Sequence, residues 1–141
     1  MDIPKNISQH IQILDIVNHI LRSLPKTLVA TIIDYCELRA INHHGSAVSL
    51  QEINLLSDVL STKDCNTRSL TKLSLCYSSM TEECIVSLAK ALADNTSLEK
   101  LVISQNKIGS YSTRALAAAL RDNATLLELR LSYNSDFPLN L

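Results

Sequence analysis

The chain has 141 residues, with 13 lysines and arginines set against 14 aspartates and glutamates, for a formal net charge of −1. With no basic block, electrostatic capture of nucleic acid and polybasic attachment to a membrane have no footprint. No apolar run reaches the roughly 18 residues of a membrane span, and MDIPKNISQH lacks the basic-then-apolar layout of a secretory signal.

Four cysteines, Cys36, Cys65, Cys76 and Cys84, show no CxxC pairing and read as reduced thiols, which points to a cytoplasmic protein. Two glycines and five aromatic residues argue against a sandwich or barrel, both of which consume many turns.

In chain order, NISQHIQILDIVNHILRSLP places Ile7, Ile11, Leu14, Val17, Leu21 and Leu24 at helical spacing, and Pro25 opens a second short helix, KTLVATIIDYC. Residues 1–37 therefore read as a helical cap over the apolar end of the remaining chain. From Leu38 onward, short alternating stretches give way to helices three times. Ser49 with Glu52 makes a capping box for the first helix, which ends in the polar loop STKDCNTRS. In the second unit Thr81 is the expected N-cap, and Glu82 and Glu83 suit the first turn through the helix dipole. The third opens with LEKLVI (98–103), a strand with one buried face. Its loop, SQNKI, sets Asn106 against backbone groups that lack a ladder partner, and STRALAAALRDN then carries Leu116 and Leu120 at i, i+4. Asn95 and Asn123 sit where a helix C-terminus tolerates a left-handed residue. A last strand starts near Leu126.

These units are copies. A shift of 28 superimposes Leu70, Leu98 and Leu126, then Leu73, Leu101 and Leu129, and carries Asp94-Asn95 onto Asp122-Asn123. Upstream a shift of 32 sets Leu38 on Leu70, Ile41 on Leu73 and Leu56 on Leu88, the extra residues falling in the polar loop. Periods of 20 to 50 residues signal stacked repeat architectures.

The pattern LxxLxLxxNxI with a helix after it resembles the leucine-rich repeats of the ribonuclease-inhibitor-like class. LEKLVISQNKI fits throughout; LTKLSLCYSSM has Ser78 at the asparagine position, and LLELRLSYNSD loses the last apolar position. The resemblance implies an α/β solenoid over residues 38–141, of three strand–helix units plus a terminal strand. Its strands line a concave face and its helices the convex one. It also implies a non-catalytic module that binds a partner protein on the concave face. The register sets outward columns of Ala40, Lys72, Lys100 and Glu128; Asn42, Ser74, Val102 and Arg130; and His44, Cys76, Ser104 and Ser132. Gly45, Tyr77, Gln105 and Tyr133 border them. Tyrosine and arginine commonly anchor protein interfaces, so the expected contact set is Lys72, Ser74, Cys76, Tyr77, Lys100, Val102, Ser104, Gln105, Glu128, Arg130, Ser132 and Tyr133.

LPKTLVATIIDYC (24–36) resembles the first helix of an F-box. That resemblance implies that Leu24, Pro25, Leu28, Ile32 and Tyr35 dock a cullin-ligase adaptor while the repeats select a target for ubiquitination. The family's remaining helices have no room before Leu38, and a purely structural cap is the alternative. A bacterial effector acting in host cytoplasm is compatible with either.

No catalytic constellation is apparent. His43 falls on an inward position, and Cys36, His43 and His44 lack a fourth ligand at recognised metal spacing. Cys76 has no neighbouring cation to lower its pKa, and Gly45 and Gly109 make no phosphate loop. The reading is of a non-enzyme without metal or cofactor. At the other end, SYNSDFPLNL breaks register, so Leu129 and Leu131 are expected on an edge strand. Either Phe137, Leu139 and Leu141 cap it, or two chains meet there in a weak homodimer.

Overall fold

A computed structural model of the chain describes residues 39–45, 47–61 and 69–134, together with Leu28. Apart from Leu28, the expected N-terminal cap lies outside the described residues, as do the core of the polar loop and the tail from 135.

From residue 39 onward, the described residues form four strands that alternate with three helices: β1 (Ala40–His44), α1 (Leu50–Leu60), β2 (Lys72–Cys76), α2 (Glu82–Asp94), β3 (Lys100–Val102), α3 (Ser110–Asp122) and β4 (Glu128–Arg130). The strands form one parallel sheet in chain order, β1-β2-β3-β4. Parallel neighbours cannot be joined by a tight turn, so each crossover carries a helix. Ile41 pairs with Leu73, Leu73 with Leu101 and Leu101 with Leu129, the same alignment that the sequence shifts produce.

One core joins the two kinds of element. Ile41, Leu73, Leu75, Leu101 and Ile103 from the strand region cluster with Ile53, Leu56, Ile85, Leu88, Leu92 and Leu116 from the helices. Each of those strand-region side chains is at most 1 % exposed. Burying a side chain of this size contributes about 1.5–3 kcal/mol, so the interdigitated row is the main source of cohesion. The row weakens at its end: Leu126, Leu129 and Leu131 are only partly buried, whereas Leu98, Leu101 and Ile103 are wholly so.

The first two helices start as the sequence predicts. Glu52 N–H donates to Ser49 Oγ at 3.3 Å while Ser49 N–H donates to the Glu52 carboxylate at 2.7 Å, a complete capping box. Thr81 Oγ1 accepts from Cys84 N–H at 3.5 Å. Helix α3 begins at Ser110, and its N-cap, Gly109, supplies no side-chain bond.

The helix ends do not use the left-handed conformation that their positions tolerate. Asn95 (φ −75°, ψ 136°) and Asn123 (φ −88°, ψ 124°) are extended rather than left-handed. Their work is done by side chains. Asn95 Nδ2 donates to Leu60 O at 2.9 Å, and Asn123 Nδ2 donates to Leu92 O at 2.7 Å, so each closes the preceding unit's helix. Each Oδ1 meanwhile accepts two backbone N–H groups of the next turn, Ser97 and Leu98 in one case, Thr125 and Leu126 in the other. A left-handed cap serves only its own helix, whereas an extended asparagine ties two units together.

Candidate interaction surface

Alternation along the strands decides which side chains leave the core. Residues 41, 43, 73, 75, 101 and 103 are buried, and their neighbours emerge on the opposite side of the sheet. The strand pairing aligns Ala40, Lys72, Lys100 and Glu128 in one row, Asn42, Ser74, Val102 and Arg130 in the next, and His44 beside Cys76. Beyond the strand ends the backbone stays in step: Gly45 N–H donates to Cys76 O, Tyr77 N–H to Ser104 O and Gln105 N–H to Ser132 O, at 3.3, 3.2 and 3.0 Å. Ser104 and Ser132 thereby complete the third row. All nine of the expected strand-face residues stand on this one surface, exposed or half-exposed.

The rim has its own geometry. Gly45, Tyr77, Gln105 and Tyr133 all have positive φ, at 83°, 54°, 58° and 57°. The chain must turn out of each strand at this point, and three of the four turns use a residue with a Cβ in the left-handed region. Only Gly45 hints at this in the sequence. Left-handed turning throws the rim side chains outward: Tyr77 is 47 % and Tyr133 82 % exposed. Tyr77 meets His44 edge-on, ring centroids 4.7 Å apart. Tyr77, Ser79, Gln105, Asn106, Lys107 and Tyr133 line a shallow groove of about 360 Å³, which sequence reasoning missed because its walls come from three successive turns.

An asparagine ladder underlies that rim. Asn106 Oδ1 accepts from Ser78 N–H at 3.1 Å and Met80 N–H at 3.2 Å, while its Nδ2 donates to Leu75 O at 2.7 Å and Ser104 O at 3.2 Å. Asn134 repeats the arrangement one unit on, accepting from Asn106 N–H and donating to Ile103 O and Leu131 O. Ser78, at the asparagine position of its unit, is fully buried, and its hydroxyl donates to Cys76 O at 3.2 Å.

Charge on the sheet face is organised around Glu128. Lys100 Nζ lies 2.9 Å from one carboxylate oxygen and Arg130 Nε bonds the other. The hydrogen bond from Lys100, then that from Arg130, holds the Glu128 carboxyl below the usual glutamate value, against a smaller opposing effect of desolvation. Among the described residues Lys72 makes no ion pair, unlike Lys100 and Arg130.

The chemically reactive residues separate. His43 is buried and His44 exposed, on opposite sides of β1, so the two imidazoles cannot close on one ion. Cys36 lies outside the described residues, among which no group of three histidine, cysteine, aspartate or glutamate side chains is placed to hold a metal. Cys84 is buried in the core, and Cys76 is half-exposed with its Sγ 3.4 Å from Ser74 Oγ. Among the described residues no helix is long and apolar enough to cross a membrane. Of the five adaptor-docking residues only Leu28 is described, helical and 43 % exposed; Leu24, Pro25, Ile32 and Tyr35 lie outside. No protein-family model matches this chain, and no curated protein matches it either.

Proposed function

We propose that the chain is a leucine-rich-repeat solenoid acting as a non-catalytic interaction module, which binds a partner protein across the open face of its sheet. The observation that carries this reading is the face itself. Three aligned rows of side chains, with Val102 half-exposed at the centre and Tyr77 and Tyr133 at the rim, stand clear of the helices. A solvated polar face needs neither tyrosines in left-handed turns nor a half-exposed valine, and both suit a desolvated contact. The asparagines that span neighbouring units support the repeat reading, since they give each turn a fixed partner one period away.

The test uses residues that the fold does not need. Lys72→Glu with Val102→Glu alters the face while Lys100, Glu128 and Arg130 themselves are kept, and should leave the fold intact with a small change in melting temperature, as surface substitutions do. Partners captured from eukaryotic cytosol on the immobilised chain, and identified by mass spectrometry, should be lost with this double variant. Retention of every partner would refute face binding.

A second reading, an F-box-like substrate receptor, draws on the exposure of Leu28. It requires that the cullin adaptor be among the captured partners and be lost on Leu28→Asp. Its recovery would make the sheet face a target-selecting surface.

A further inference from the structure

Among the described residues strand β4 is an edge, with β3 on one side and no strand on the other. Glu128 N–H donates to Glu99 O, Arg130 O accepts from Ile103 N–H and Ser132 O accepts from Gln105 N–H, so the even residues turn their backbone groups toward β3. By the pleat, Leu129 turns its own away and no described residue bonds it; at its flanks Leu131 O accepts from Asn134 Nδ2 and Leu127 N–H donates to Glu99 O, which leaves Leu131 N–H and Leu127 O. Apolar surface is left here too: Leu129 and Leu131 are half-buried and Leu127 is 81 % exposed. An edge of this kind is a template for another strand, and proteins commonly blunt it with charges. The charges on β4 are Glu128 and Arg130, opposite in sign and two residues apart on one face.

That spacing is self-complementary under a two-fold axis. In an antiparallel pair pivoting on Leu129, the outward groups of Leu129 bond those of its copy, and Leu131 N–H of each chain donates to Leu127 O of the other. Glu128 then falls directly opposite Arg130 of the partner, in the non-hydrogen-bonded position where side chains approach most closely. No other pivot does this. On Leu131, Arg130 would face a serine and Glu128 an asparagine; on Leu127, they would face an alanine and a leucine. An edge with two like charges would instead repel its own copy. We propose that β4 pairs antiparallel with β4 of a second copy of this chain, about a two-fold axis at Leu129, through reciprocal Glu128–Arg130 contacts. The half-buried Leu129 side chains then meet on the core side, and the interface leaves the strand-face rows of β1, β2 and β3 open.

A three-residue strand is a small interface, so the dimer is weak and its population depends on concentration. Sedimentation equilibrium of the full chain from about 10 µM to about 1 mM should show monomer passing to dimer, with the association weakening as salt rises. Glu128→Arg makes the edge wholly basic and Arg130→Glu makes it wholly acidic. Each alone should bind itself roughly tenfold or more less tightly, because two attractive cross-strand pairs become repulsive. An equimolar mixture of the two variants should dimerise again, since every new charge then faces its opposite. Arg130 is well exposed, so Arg130→Glu tests the pairing even if Glu128→Arg does not fold, and circular dichroism melts report folding for both. A chain monomeric across the range, a dimer indifferent to both substitutions, or a mixture that stays monomeric while both variants are folded would each overturn the pairing.

Discussion

Asn106 replaces, with one side chain, the ladder that the backbone loses where the strands end. Its amide serves Ser78, Met80, Leu75 and Ser104 from a position only 4 % exposed. Asn106→Ala strands two buried N–H groups and a carbonyl, each at a cost of about 1–3 kcal/mol; urea denaturation should register a total loss of about 3 kcal/mol or more. Asn106→Asp keeps the acceptor and forfeits the donor, so it should fall between. The asparagine was visible in the sequence as a loop residue facing unpaired backbone, but its partners were not, because they come from a neighbouring unit. The left-handed turns were hidden for a different reason. Tyrosine and glutamine have no preference for positive φ, and tertiary context imposes it. Gln105→Gly removes a conformation that costs about 1–2 kcal/mol and adds unfolded-state entropy, so it should raise stability by up to about 1 kcal/mol. Glu128 adds a pH signature. Its carboxyl titrates below the unfolded value because of Lys100 and Arg130, so its contribution is present above the unfolded value and lost as pH falls through the lower folded one. The acid limb of the stability curve should flatten in Glu128→Gln, and more so at low salt, because the cluster is solvent-screened.

At the scale of elements, capping grades the three helices. Helix α1 has a reciprocal box, α2 a single long bond and α3 no side-chain cap. Ser49→Ala should therefore cost about 1 kcal/mol, and Thr81→Ala measurably less, when chemical denaturation of the two is compared. Both caps were legible, since capping is a local matter of a hydroxyl and a carboxylate three residues apart. The strands were legible by their alternation and by the coincidence of copies, which aligns Leu73, Leu101 and Leu129 in the sequence as the sheet does in space. Helix ends were not, because an asparagine suits either a left-handed cap or a side-chain bridge, and only the carbonyl of the previous helix decides between them. Leu101 is wholly buried in β3; an aspartate there places an unpaired charge in the core, a loss of several kcal/mol, comparable to a domain's whole stability. Leu101→Asp should abolish the cooperative melt, and its survival would mean that the inward register is wrong.

At the scale of the molecule, each element packs substantially on its neighbours in chain order, helix on adjacent helix and strand on adjacent strand. The coupling is thus nearly one-dimensional, and stability is approximately a sum of unit and interface contributions. That arrangement follows from the period, which is why the topology could be read from the chain, while the charge complementarity of one edge to its own copy could not be read until β4 had a free side. A linear stack need not be uniform. Wherever an interface is incomplete, local opening becomes cheaper than global unfolding. Leu126, Leu129 and Leu131 are half-buried where their counterparts one unit earlier are sealed, so β4 and the end of α3 should exchange amide protons sooner than β2 and β3. The same asymmetry separates two otherwise identical truncations. Leu101→Ala empties a sealed site and should cost about 2–5 kcal/mol, while Leu129→Ala should cost distinctly less in dilute monomer. If β4 pairs with its copy, raising the protein concentration should slow exchange at Leu129 and Leu131 alone and widen the penalty of Leu129→Ala toward that of Leu101→Ala. Protection that rises evenly over the whole sheet would instead signal general stabilisation, and a flat response would leave β4 an open edge at every concentration.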